Sequence, residues 1–184
     1  MSGRKSGESL MRAKQRGFSL LELLIVVAII LVIAAIAIPN LLQARLAANE
    51  ASAVASLHVI QSAEITYFNT YPTVGYANAI ANLGGPAPCA PSVAAACLID
   101  DFLASAVVGS VGKSGYYFLA TGVVTGGATN NTAFVAGASP KLVNHTGNRD
   151  FCQTNDGVLR SQMANAGDTP VNNVPACLAF AVTQ

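Results

Sequence analysis

The sequence predicts an α+β fold: one long N-terminal α-helix whose C-terminal half packs on an antiparallel sheet of about four strands. Three observations carry this expectation. A run from Leu23 to Ala44 contains no charged residue, and helical character continues from it to Thr70 without a single Gly. From Gly115 the composition turns apolar and β-favouring, in YYFLATGVV and TAFVAG. Finally, Thr154-Asn155-Asp156-Gly157 separates the short segments RDFCQ and GVLR, and Asp-Gly tolerates the positive φ angles of a tight hairpin turn.

Taken in order, residues 1–17 are short, polar and basic and read as a leader peptide. Residues 18–43 form the apolar segment. Pro39 interrupts it and removes one backbone donor, so a kink is expected there. Residues 44–184 form an exported globular domain. In its helical part, Ala53, Leu57, Ile60, Ala63 and Tyr67 recur at steps of four and three and share one face. Pro72 closes the helix. A helix from Phe18 to Thr70 is about 80 Å long at 1.5 Å per residue. The residues that follow are too few to bury it, so its N-terminal half must find lipid or other copies of itself. Residues 73–114 connect helix to sheet: GGPAPCAPS is loop-like, and short helical pieces are expected over Tyr76–Leu83 and Ala95–Ser105. The tail from Ser161 is irregular until CLAFAV, which reads as a last strand or a tucked segment.

Composition points the same way. The chain has 184 residues, 52% hydrophobic and only 10% charged, which is apolar for a soluble domain and directs attention to a membrane span. About 20 apolar residues cross a bilayer core as a helix. The net charge of +1 hides an asymmetry. Arg4, Lys5, Arg12, Lys14 and Arg16 face Glu8 alone before Phe18, whereas acidic residues predominate after it. Cationic flanks stay on the cytoplasmic side, so the N-terminus remains inside and the bulk of the chain is exported. The basic residues cluster in the leader, which argues against a nucleic-acid-binding domain.

Cys89, Cys97, Cys152 and Cys177 all lie on the exported side, and no pair has the Cys-x-x-Cys spacing of a zinc or redox site. Disulfides are the default there. Of the three possible pairings, Cys89–Cys97 with Cys152–Cys177 is favoured, because each bridge closes a short loop within one region. Loops of this size correspond to roughly 2–4 kcal/mol of stabilisation per bridge.

The stretch Lys14-Gln15-Arg16-Gly17-Phe18-Ser19-Leu20-Leu21-Glu22 places a basic patch before a Gly-Phe step, starts an apolar helix at once, and sets a lone carboxylate four residues after Phe18. It resembles the prepilin cleavage motif of type IV pilins and type II secretion pseudopilins, and the resemblance continues through Pro39 and the long helix. It implies that a prepilin peptidase of the inner membrane cuts after Gly17 and methylates the new amino terminus at Phe18. It implies that Glu22 is the acidic residue used in assembly. The partners it implies are further copies of the chain, forming a homopolymer, and the inner-membrane pilus assembly machinery. The leading reading is a structural subunit of a type IV pilus, serving adhesion, twitching motility or DNA uptake. The precursor would sit in the bacterial inner membrane with its N-terminus cytoplasmic, and the mature protein in an extracellular pilus or a periplasmic pseudopilus. A type II secretion pseudopilin is the alternative within the family, and a membrane-anchored periplasmic binding module is the alternative from another class.

Two plainer readings compete for the N-terminus. Ala35-Ile36-Ala37 fits a signal-peptidase site, but Glu22 stands at the start of the apolar core and that core runs on into a helix. A simple membrane anchor has no need of Glu22, and an intramembrane ionisable residue is by default functional. Elsewhere, Gly112-Lys113-Ser114 lacks the upstream Gly of a phosphate-binding loop, since Val107 stands there. His58 and His145 have no companion ligand set. Asp100, Asp101, Asp150 and Asp156 read as solvated loop carboxylates rather than a calcium site, which wants six to eight oxygens. Tyr67, Phe68 and Tyr71 read as core packing. No metal, no cofactor and no enzymatic activity are expected.

Overall fold

The computed structural model describes residues 17–183, so the leader up to Arg16 lies outside the described residues. Contacts divide the chain into two units, Met1–Leu41 and Leu42–Gln184. A single α-helix, α1 (Leu20–Thr70), begins in the first and ends in the second. It starts two residues after Phe18, because Gly17, Phe18 and Ser19 are not helical. The Ser19 carbonyl accepts the first rung, from the Leu23 amide at 3.2 Å.

In the first unit the helix is Leu, Ile, Val and Ala apart from Glu22, its one charge, and Pro39 and Asn40, and its large apolar side chains are exposed. It is long and apolar enough to cross a membrane by length and composition. Pro39 lies inside the helix, with helical backbone on either side. Its missing N–H leaves the Ala35 carbonyl without the usual intrahelical donor.

In the second unit α1 presents Leu46, Glu50, Ala53, Leu57, Ile60, Ala63, Glu64 and Tyr67 as its buried face. The five apolar residues expected there are all buried. Beneath them lies a sheet of five strands in the order β1-β2-β3-β4-β5, every neighbouring pair antiparallel. The strands are β1 (Tyr116–Val123), β2 (Ala133–Pro140), β3 (Arg149–Thr154), β4 (Arg160–Met163) and β5 (Ala181–Val182). The fold is therefore α+β, with one strand more than about four. The additional strand comes from CLAFAV, whose first half is a short helix, α4 (Val174–Leu178), capped by Asn173, and whose end is β5.

Alternation along the strands builds two cores. Phe118 and Ala120 of β1, Phe134, Ala136 and Ala138 of β2, and Phe151 of β3 point toward α1 and pack with Leu57, Ile60 and Tyr67. On the outer face Val135, Cys152 and Cys177 cluster with Val171, Val174 and Phe180. β2 is buried at every position because α1 covers one side and the chain after β4 covers the other. The crossing is close: a Cβ on Gly137 would sit 2.7 Å from the Val171 amide nitrogen and carbonyl oxygen.

Three local expectations are corrected. β4 is Arg160–Met163 rather than GVLR. The Asp156 carboxylate accepts from the Val158 amide, Thr154 and Arg160, which holds the hairpin loop in a tight turn past Val158. Gly157 closes that turn at φ 75°, its amide donating to the Thr154 carbonyl. The connecting helices are shorter than expected: α2 is Ile80–Leu83 and α3 is Asp101–Ala104. Asn131 holds the chain before α2 extended, donating from its side chain to the Tyr76 carbonyl. α3 cannot start earlier because Asp100 caps it, accepting from the Leu103 amide.

Because the second unit holds its own core, a chain starting at Ala44 should be soluble and keep its sheet. Circular dichroism and urea unfolding check this. A non-cooperative melt would show that residues before Ala44 are required for the globular fold.

Candidate processing and assembly site

The residues singled out at the N-terminus fall within little more than one helical turn. Among the described residues nothing lies within 4 Å of where a Cβ on Gly17 would be. A backbone without a side chain permits close approach by a protease. Phe18 is 81% exposed. Glu22 sits in the first turn of α1, where a carboxylate complements the positive end of the helix dipole. Its side chain is exposed among exposed leucines. In water this is unremarkable, but in lipid or between packed apolar helices a carboxylate needs a partner.

The second unit is fastened at several points. Disulfides join Cys89 to Cys97 and Cys152 to Cys177. The second ties α4 to β3, so the irregular tail is covalently held on the outer sheet face. Two ion pairs add to this. Glu50 on α1 accepts from Arg149 Nε at 2.9 Å and Nη2 at 2.8 Å, and from the Asn148 amide at 2.9 Å, clamping the helix to the start of β3. The Arg160 guanidinium holds the Asp156 carboxyl down at about 2.

The remaining candidates do not converge. His58 lines a shallow groove with Val59, Ser62 and Leu98, and His145 sits in the exposed turn before β3. Asp100 caps α3 and faces Lys113 at 3.7 Å. Among the described residues no three His, Cys, Asp or Glu side chains form a group that could hold a metal ion. Tyr67, expected in the core, is fully buried and donates through its hydroxyl to the Val93 carbonyl at 2.7 Å.

Sequence reasoning missed three buried carboxylates: Glu50, Glu64, and Asp150, which had read as a solvated loop group. Glu64 is fully buried on the inner face of α1; its Oε2 accepts from the Ala77 amide at 2.9 Å and its Oε1 has no partner. Desolvation raises its pKa from 4.5 to about 7, against the lowering effect of the Ala77 N–H. Asp150 is buried on the outer face of β3. A signal for Glu64 did exist: it follows Leu46, Glu50, Ala53, Leu57 and Ile60 at steps of three and four.

The model for the prokaryotic N-terminal methylation motif matches residues 12–38. The chain thus carries the hallmark motif of type IV pilins and pseudopilins, on an α+β architecture of the pilin type. No curated protein and no solved structure matches the chain. The motif and the apolar helix fit a membrane-anchored precursor processed by a prepilin peptidase.

Proposed function

We propose that the chain is a structural subunit of a type IV pilus. A prepilin peptidase cuts after Gly17 and methylates the amine of Phe18. The mature subunits then leave the inner membrane by bundling their apolar helices into a filament core and displaying their disulfide-stapled sheets outward. The observation that supports this best is the conjunction at one helix end: a Gly17–Phe18 step, Glu22 one turn later, and a helix whose large apolar side chains are all exposed from Leu20 to Leu42. Once outside the bilayer such a surface must be kept from water, and packing among copies does so at roughly 25 cal/mol per Å² of apolar area relative to exposure to water.

Cleavage is checked by mass spectrometry of the N-terminal peptide. The expected peptide begins at Phe18 and carries a methyl group. One beginning at Ile38 would overturn the reading in favour of a signal peptide. Shearing cells and identifying the released protein tests the filament itself. Recovery in extracellular filaments supports a pilus, whereas a product confined to the periplasm and absent from the sheared fraction would overturn it.

A further inference from the structure

The outer face of the sheet holds a polar site that the filament reading does not use. Asp150 pairs with Gln162 across β3 and β4, and Ser139 lies one residue beyond the Ala138–Phe151 pair on β2. Ala138 and Phe151 point to the inner core, so Ser139, Asp150 and Gln162 project outward in a row. The segment after β4 crosses above them, with Asp168 at its turn. Asp168 Oδ2 accepts from the Asn165 amide at 2.6 Å and from Asn165 Nδ2 at 3.2 Å. Between row and segment is a cavity of about 350 Å³. Asp150, Gln162 and Asp168 line it, together with apolar Val171, Ala176 and Phe180.

The hydrogen bonding of this cavity is incomplete. Asp150 is 4% exposed, its Oδ1 has no partner, and its Oδ2 receives only a long 3.4 Å contact from Gln162 Nε2. Ser139 is fully buried and its Oγ is also without a partner. Asp168 is a second carboxylate, and no Lys, Arg or His lines the cavity. The unmet atom that lines the cavity is the Asp150 carboxylate oxygen, an acceptor when ionised, while the Ser139 hydroxyl behind it can donate as well as accept. The complementary ligand is a group that only donates, and an alkylammonium has three N–H donors, no acceptor and a positive charge. Its methylene stem suits the Val171, Ala176 and Phe180 walls.

We propose that this cavity binds a primary alkylammonium group, from a free polyamine or from the lysine side chain of a partner protein, with Asp150 and Asp168 as its acceptors. Divalent cations fit less well, because calcium takes six to eight oxygens and the described residues bring no three metal-type side chains together. Burial and the neighbouring Asp168 carboxylate raise the Asp150 pKa, while Gln162 and Ser139 act in the opposite direction. A bound ammonium would draw it down.

The test uses the full chain in detergent micelles, titrated with cadaverine, Nα-acetyl-lysine amide, 1,6-hexanediol and calcium chloride. Calorimetry reads binding and carboxyl-carbon NMR reads the ionisation of Asp150. The expected result is saturable binding of an amine, a downward shift of the Asp150 titration, and no response to the diol. Binding of cadaverine alone identifies a free polyamine, and binding of the lysine analogue identifies a side chain. Asp168→Asn, at a half-exposed position, should weaken amine binding by about tenfold with an unchanged dichroism spectrum. Absence of saturable amine binding to the unaltered chain would overturn the proposal. So would amine binding indifferent to Asp168→Asn, or calcium binding that shifts Asp150 while neither amine does.

Discussion

Glu22→Ala yields processed, membrane-inserted protein in normal amount and few or no filaments. In the proposed processing, removal of the leader creates an amine at Phe18, and an α-amine is mostly protonated near neutral pH. Glu22 follows four residues later, in the first turn of α1. If it served only its own helix end, its loss would cost roughly 0.3–1 kcal/mol and assembly would persist. In a filament core the same carboxylate is surrounded by the apolar side chains of neighbouring helices. Left unpaired there it costs at least a few kcal/mol. Pairing with the amine of an adjacent copy removes much of that cost only at the correct stagger, so one residue selects both association and register. Insertion and folding do not depend on it: the apolar run needs no charge, and the globular core lies within Leu42–Gln184. Quantifying sheared filaments against total membrane-bound subunit separates the two roles. Abundant, normally built filaments from cells making only the Ala protein would rule out docking through Glu22.

What the sequence disclosed and what it concealed divide along the range of the interactions. The inner face of α1 was legible at Ala53, Leu57, Ile60, Ala63 and Tyr67 because helical periodicity is local and those residues are apolar. Glu50 and Glu64 occupy the same face but are charged. What makes them buried residues is a partner distant in sequence, Arg149 for Glu50, and for Glu64 the Ala77 amide beyond the helix end. No spacing rule connects residue 50 with residue 149.

β1 and β2 could be recognised from their β-favouring composition. Burial of β2 on both faces could not, since it depends on a tail segment crossing near Gly137, far along the chain. β4 was displaced because Asp156 engages Val158 and Arg160, a side-chain competition that β-propensity does not contain. At the N-terminus legibility was highest. There the signal is a contiguous string, Arg16-Gly17-Phe18 to Glu22, within the methylation motif matched at residues 12–38.

Glu64→Gln should remove a pH dependence from the stability of the globular unit. Glu64 is fully buried, and the Ala77 amide is its one hydrogen-bond donor. The ionisable groups that sense its charge are Tyr67 and Tyr76, whose own pKa values it helps to raise, and neither supplies a compensating positive charge. Burial therefore favours the neutral acid, and the folded chain holds this proton up to about pH 7 against an ordinary value of 4.5. Between those values the folded state binds more protons than the unfolded state, so stability falls as pH rises. The contribution of the neutral acid is complete below pH 4.5 and is lost progressively toward pH 7, above which the loss is constant. At 1.36 kcal/mol per unit this amounts to about 3 kcal/mol. Gln keeps a carbonyl oxygen for the Ala77 amide and cannot ionise, but its NH2 group takes the place of an oxygen that has no partner, at a cost of about 1–3 kcal/mol. The variant is thus expected to be less stable than the parent in acid and at least as stable above neutrality, with this titration absent from its profile. Urea melts at several pH values between 4 and 8 measure both curves. Two profiles that decline in parallel would show that Glu64 ionises in the folded chain without penalty, and that the protonated carboxyl is not what holds Ala77 against α1.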